Sequence, residues 1–152
     1  MASLLLALAV LVTGLYAGFL VCFTIGVMPG LGLLPDEQFT AVMRRFNEKV
    51  PGPVFLVLFA GVIGFPVTAL LVPVDGRTAA ERGLVAGALV CAVLGHLVTV
   101  GGNIPLNSAL AQSEGADDSV ARRAFETRWN NLHRIRTALS TGAFALLVAA
   151  AV

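Results

Sequence analysis

Six polar or ionisable side chains recur at spacings of three and four residues near the end of the chain. They are Arg123, Glu126, Asn130, His133, Thr137 and Ser140. This spacing puts all six on one face of a helix. A carboxylate and an imidazole there could move a proton or bind a cation, so the stripe indicates a functional site. The alternative is a helix face that binds lipid headgroups, with Trp129 as an interface anchor.

A second polar group lies in the segment 101–107, where Asn103 and Asn107 flank Pro105 after two glycines. We expect the helix to break here, because broken backbone at membrane depth is tolerated where it lines a cavity. An ordinary helix stop with polar caps is the alternative. We predict that this segment and the stripe share one cavity, roofed by Trp129. The residues expected to converge there are Asn103, Asn107, Glu126 and His133.

Metal or haem chemistry is a further hypothesis, because the chain has a second histidine, His96. Together with His133 and Glu126 it would offer two nitrogens and one oxygen, which suits non-haem iron or copper. The two histidines could also hold a haem. The alternative for His96 is a core histidine bonded to a backbone carbonyl. The cofactor therefore stays open between none, iron or copper, and haem.

The rest of the sequence indicates where these residues sit. Of the 152 residues, 57% are hydrophobic and 12% charged, against about 25% charged in soluble domains. Charged residues are absent from four long blocks, and a charge at the bilayer centre costs about 2.5–3.5 kcal/mol. We therefore predict a single all-α domain, an integral membrane four-helix bundle. The predicted spans are Leu4–Val27, Val54–Val72, Leu84–Val100 and Leu132–Val152.

Two shorter helical segments are predicted outside the spans. Proline and acidic residues from Pro35 begin an amphipathic helix at the membrane interface, which ends before Pro51. Asp117 and the residues after it resemble a helix N-cap, so span four should begin as a helical extension over residues 119–131. The net charge of +1 gives no basic field for a nucleic-acid partner. The expected partners are the bilayer and a hydrophobic aromatic small molecule, and a homo-oligomer is left open.

An internal repeat is visible in spans one and three. The segment 14–26 matches the segment 83–95 at eight of thirteen positions, and each carries a small residue every fourth position. Small residues allow close helix approach in lipid. We therefore predict a parallel repeat of two helical hairpins, with spans one and three in contact at the centre. Cys22 and Cys91 would then face each other, as two buried thiols or, alternatively, as a disulfide.

The polar motifs resemble those of a known family. Asn103-Ile-Pro-Leu-Asn107 and Arg123-Ala-Phe-Glu126-Thr-Arg-Trp129-Asn-Asn-Leu-His133-Arg-Ile-Arg136 are similar to the signature of the DUF1772 family, also called anthrone oxygenase-like. The resemblance implies a membrane oxygenase of polyketide biosynthesis, which oxidises an anthrone methylene to a quinone carbonyl with O₂. The positions that match the family motif are Asn103, Asn107, Glu126, Trp129, His133 and Arg136.

Physical roles for these positions can be assigned as hypotheses. His133 is the natural base, and Glu126 would orient it directly or through water. If a metal is used, these two become ligands. Asn103 and Asn107 would donate to an enolate oxygen, which Arg136 would stabilise.

Three further residues are expected to bind the substrate. Trp129 would stack on a planar ring system. The segment Arg45-Phe-Asn47 echoes Arg128-Trp-Asn130, which adds Asn47 and Asn130 as candidates.

The distribution of arginine and lysine predicts the orientation. Loops one and three with the start of span four hold eight of these residues, and loop two holds two. The positive-inside rule then puts both termini outside and loops one and three in the cytoplasm. We expect a cysteine at Ser113 to react with an impermeant reagent only from the cytoplasmic side, and one at Ser3 only from outside. Reaction of Ser113→Cys from outside alone would reverse the assignment.

Overall fold

The computed structural model describes residues 2–73 and 76–152. Its α-helices follow one another along the chain: α1 (Ala2–Cys22), α2 (Met28–Gly32), α3 (Asp36–Lys49), α4 (Pro53–Leu71), α5 (Ala79–Val98), α6 (Ile104–Gln112) and α7 (Asp118–Ala151). A π-helical turn, Phe23–Val27, joins α1 to α2, and a second, Thr99–Asn103, joins α5 to α6. The predicted all-helical fold is confirmed.

Four helical runs are long and apolar enough to cross a membrane. They are Leu4–Gly32, Pro53–Leu71, Ala79–Gln112 and Asp118–Ala151. A run of about 20 apolar residues spans the hydrocarbon core, so the protein is an integral membrane helical bundle. The first, third and fourth runs extend beyond the predicted spans, because the segments next to each span continue the helix.

The π turns explain why the third run does not break where a break was predicted. Pro105 is an early residue of α6, directly after the π turn. The Ile104 N–H donates to the Thr99 carbonyl, five residues back. This wider turn shifts the hydrogen-bond register and accommodates the missing N–H of proline without ending the helix. The predicted break at 101–107 is therefore wrong, and Asn103 is the last residue of a continuous π turn. Pro29 follows the first π turn in the same way.

The helix neighbours differ from those predicted. Both α1 and α5 pack against α4 and α7, so spans one and three lie diagonally across the bundle. Their small-residue faces do not meet: Gly18 has open space beside it, while Gly87 faces Leu146 of α7. Cys22 is exposed and Cys91 is half-buried, and both are free. The predicted central contact of spans one and three, with two facing thiols, is wrong, because each helix uses these positions against span four or lipid.

The predicted amphipathic helix is confirmed as α3, which lies over one end of the bundle. Its apolar side, with Phe39, Thr40 and Met43, is fully buried against α6 and α7. Arg44 fastens it from one side: the guanidinium donates to Asp118 Oδ1 at 3.1 Å and to the Leu110 carbonyl at 3.0 Å. The Arg44 side chain is largely buried, so these bonds hold α3 on the bundle.

A second arginine fastens the other side of α3. Arg122 of α7 donates to Asp36 Oδ1 at 3.0 Å, to the Leu34 carbonyl at 2.7 Å and to Glu126 Oε2 at 2.7 Å. This single guanidinium therefore links α7, the start of α3 and the loop that follows α2. Together, the bonds of Arg44 and Arg122 fix the position of Asn47, near the end of α3.

The long helix α7 begins at the predicted cap. Asp117 accepts hydrogen bonds from the backbone N–H groups of Ser119 and Val120. The Ser119 hydroxyl also donates to it, and these bonds hold the pKa of Asp117 below its usual value. The cap is thus ionised at neutral pH, at the positive end of the helix dipole.

Helix contact in the bundle can be tested at two glycines of α4. A Cβ atom at Gly61 would lie 2.9 Å from Val12 Cγ1 of α1, whereas one at Gly64 would meet nothing within 4 Å. We expect Gly61→Ala to lower the stability by about 1–3 kcal/mol, the usual cost of overpacking. Gly64→Ala is the matched control and should cause no loss. Thermal unfolding in detergent measures both; equal stability of the two variants would contradict the α1–α4 packing.

Candidate functional site

A cavity of about 140 Å³ lies inside the bundle beneath α3. We call it the aromatic cavity, because phenylalanine and tryptophan rings form much of its wall. Its ring residues are Phe19, Phe23, Phe46, Phe55, Phe59 and Trp129. Its polar residues are Asn47, Thr99, Asn103, Asn107, His133 and Arg136. An apolar space with a few convergent polar groups is the usual form of a small-molecule site.

Arg136 supplies the charge in this cavity. It is only 8% exposed, and its guanidinium lies over the Trp129 ring at 5.4 Å from the ring centre. It donates to His133 Nδ1 at 3.0 Å and to the Thr99 hydroxyl at 3.4 Å. Among residues 2–73 and 76–152 no carboxylate pairs with it. A buried cation without an anion is costly, so this site favours a ligand that brings negative charge.

The two nitrogens of His133 are both engaged. Arg136 can only donate, so Nδ1 is the acceptor, and the proton is on Nε2. Nε2 then donates to the Leu20 carbonyl of α1 at 3.0 Å. His133 is 2% exposed and stacks on Trp129 with ring centres 4.7 Å apart. The imidazole is therefore neutral and held in one orientation. The lone pair of Nδ1 accepts the hydrogen bond of the Arg136 guanidinium.

Trp129 is fixed by both its ring and its N–H. The indole Nε1 donates to Asn107 Oδ1 at 2.8 Å. Along α7 the ring lies between His133 and Phe125, whose ring centre is 5.9 Å away. Trp129 is buried, 3% exposed, so it is not the exposed interface anchor of the alternative reading. Because neighbours cover its faces, the indole forms a wall of the cavity instead of a roof.

Two side-chain amides have unpaired atoms at the cavity. Asn103 Nδ2 donates to the Trp129 carbonyl at 3.3 Å, while its Oδ1 is buried without a hydrogen-bond partner within the described chain. Asn47 Nδ2 on α3 is likewise buried and unpaired there. Buried polar atoms are nearly always bonded, so an unpaired acceptor and an unpaired donor at one cavity indicate a polar ligand.

Glu126 and Asn130 do not join this group. They line a separate polar recess of about 300 Å³ between α7 and the first π turn, with Thr24, Gly32 and Arg134. Glu126 is bonded to Arg122, four residues earlier on α7. The prediction that Glu126 converges with the two asparagines is therefore wrong. His133 lines both spaces and separates them.

His96 is placed outside the cavity. Its Nδ1 and Nε2 lie 2.8 Å from the Ala92 carbonyl and 2.7 Å from the Phe59 carbonyl, and its ring stacks on Phe59. Within the described residues no three His, Cys, Asp or Glu side chains come together. His96, His133 and Glu126 thus do not form the shared ligand set that was considered from the sequence.

Sequence reasoning missed the aromatic wall and Thr99. Phe23, Phe46 and Phe55 come from the first π turn, α3 and α4, and in an apolar sequence a phenylalanine at a cavity is not distinguishable from one in the core. Thr99 begins the second π turn. The sequence did contain a signal for this turn. Pro105 lacks a backbone N–H, so a π turn before it is needed to keep the helix continuous.

Comparison with known proteins gives one match. The family model described as "Anthrone oxygenase" matches residues 39–146, which include most of α3, the second π turn and most of α7. No curated protein and no solved structure matches the chain. The matched range contains all of the polar residues of the aromatic cavity.

The bond between Asn107 and the indole can be tested with the chain's single tryptophan. Asn107→Leu would leave the buried Trp129 N–H unpaired, which typically costs about 1–3 kcal/mol. We expect lower thermal stability and a changed Trp129 emission spectrum. Asn130→Leu, on the neighbouring face of α7, is the matched control and should leave the emission unchanged. An identical change in both variants would argue against the bond.

Proposed function

The chain belongs to the anthrone oxygenase family, and on this premise we propose that it is a membrane-embedded oxygenase that converts an anthrone-like aromatic ketone into a quinone with O₂. The site proposed for this oxidoreductase reaction is the aromatic cavity. The substrate class is a flat, lipophilic polyketide-type molecule that reaches the cavity from the bilayer. We also propose that the α3 end of the bundle faces the cytoplasm, which the arginine and lysine distribution favours.

The observation that carries this proposal is the buried guanidinium of Arg136. Its charge has no carboxylate partner in the described part of the chain, and it borders a space lined by aromatic rings. An anthrone that loses a methylene proton becomes an enolate, which is a flat aromatic anion. The enolate oxygen would supply the missing negative charge beside Arg136. A fixed cation that favours developing charge is a common source of rate acceleration.

The chemistry needs little else from the protein. The enolate passes an electron to O₂, the two radicals combine at the former methylene carbon, the peroxide anion takes up a proton, and loss of water from the hydroperoxide leaves the quinone carbonyl. His133 supports the proton transfers: the carbonyl oxygen of the substrate takes over the hydrogen bond of Arg136, which frees Nδ1 of His133 to accept the methylene proton and later return it to the peroxide. The rings of the cavity wall exclude water from the reactive carbon.

The opening of the cavity fits this substrate class, and its size accommodates only part of the molecule. About 140 Å³ is below the usual 300–1,000 Å³ of sites for drug-sized ligands. Leu56 of α4 and Ile104 of α6 line the cavity and are also exposed on the outer surface. We propose that the reacting end of the substrate enters the cavity and that the remainder lies between these two side chains, in contact with lipid.

The test measures O₂ uptake and quinone formation by purified protein in detergent with a hydroxylated anthrone. Arg136→Gln should lower kcat/KM by about 10²–10³-fold, because the enolate loses its cation. His133→Ala should lower it by about 10²–10⁴-fold. Arg134→Gln is the matched control: Arg134 is exposed and two residues away on the same helix, so activity should stay near wild type.

Two results would contradict the proposal. Equal loss of activity in the Arg134 and Arg136 variants would mean that positive charge anywhere on this part of α7, not the buried guanidinium, supports the reaction. Saturable binding of quinones without O₂ uptake above the spontaneous rate would instead favour a non-enzymatic lipid- or quinone-binding protein. A haem-bearing electron carrier would be recognised by a Soret absorbance band.

A further inference from the structure

The unpaired oxygen of Asn103 has a defined orientation. Its amide nitrogen must be the atom that faces the Trp129 carbonyl at 3.3 Å, because a carbonyl oxygen only accepts hydrogen bonds. Oδ1 is therefore the other end of the amide. It is buried without a partner within residues 2–73 and 76–152, on a side chain that is 1% exposed and lines the aromatic cavity.

A buried acceptor at a binding cavity requires a donor. Two neighbouring donors already have partners: the Trp129 N–H is on Asn107, and the Thr99 hydroxyl is on the Gly95 carbonyl at 2.9 Å. One N–H of the Asn103 amide is bonded to the backbone of α7, and donation of its second N–H to an enolate oxygen stays a prediction. A hydroxyl group on a bound ligand would supply the hydrogen that Oδ1 lacks.

We propose that Asn103 Oδ1 accepts a hydrogen bond from a hydroxyl group of the ligand and thereby selects hydroxylated aromatic ligands over those without a donor. Asn47 Nδ2, the unpaired donor on α3, donates to an oxygen acceptor of the same ligand. The ligand class is thus a planar aromatic ketone or quinone with a phenolic O–H. This inference rests on the proposed function, since it concerns recognition in that same cavity.

Ligand binding provides a test that needs no turnover. Anthraquinones absorb where tryptophan emits, so a bound one quenches Trp129, the single tryptophan of the chain. The probes are 1- and 2-hydroxyanthraquinone, each with its methyl ether, and anthraquinone itself. The ether keeps the oxygen but cannot donate. We expect one hydroxyl compound to bind about 5- to 100-fold more tightly than its ether, because an unpaired buried acceptor is costly.

The Asn103→Leu variant tests the residue directly. The preference for hydroxyl over ether should fall below about threefold, because an apolar side chain has no acceptor. Asn130→Leu is the matched control and should keep the wild-type preference. A preference that survives in folded Asn103→Leu overturns the proposal. If Asn103→Leu does not fold, the wild-type series decides: equal affinity of hydroxyl and ether, or no saturable quenching, overturns it.

The outcome is separable from that of the oxygenase proposal. Equal affinity for hydroxyl and ether compounds together with O₂-dependent quinone formation would reject the role of Asn103 alone. A hydroxyl preference that depends on Asn103 without O₂ uptake would reject the oxygenase reaction and retain the recognition.

Discussion

The central constraint of this protein is a guanidinium held inside a membrane bundle with no carboxylate partner among the described residues. Arg136 is stabilised by the Nδ1 atom of His133, by the Thr99 hydroxyl and by the face of Trp129. Neutral acceptors and a ring face offset only part of the cost of removing a charge from water. The surrounding residues are fixed in response: His133 is bonded to the backbone of α1, and Trp129 to Asn107.

The two arginines that hold α3 have a different role, because each is paired with a carboxylate. Arg44 and Arg122 are bonded to carboxylates and to backbone carbonyls, and together they hold α3 across the end of the bundle. α3 carries Phe46 and Asn47 to the cavity. Ion pairs thus stabilise this end together with the buried apolar side of α3, whereas within the described residues the cavity retains one cation without a carboxylate and two unpaired amide atoms. The ion pairs of α3 therefore position the site, and the aromatic cavity is the part proposed to bind the ligand.

His133 also defines the boundary between two environments. On one side lies the aromatic cavity, and on the other the polar recess with Glu126 and Asn130. Trp129 and Asn130 are consecutive residues, and a helix turns by about 100° per residue, so one faces the cavity and the other the recess. The family motif on α7 therefore serves two surfaces. Trp129, His133 and Arg136 face the cavity, and Glu126 is bonded to Arg122, which holds α3.

The sequence by itself determined the four apolar spans, the amphipathic helix and the cap of α7, because these follow from local rules: charge is excluded from lipid, and apolar spacing follows the helical turn. It also singled out Asn103, Asn107, Trp129, His133 and Arg136. Only the tertiary structure decided the helix neighbours and the direction of each polar group. Gly18 and Gly87 are equivalent in sequence, yet one faces open space and the other α7. Glu126 was misassigned because its nearest cation lies one turn earlier on α7. Such choices depend on which atoms meet across helices, and local spacing does not encode that.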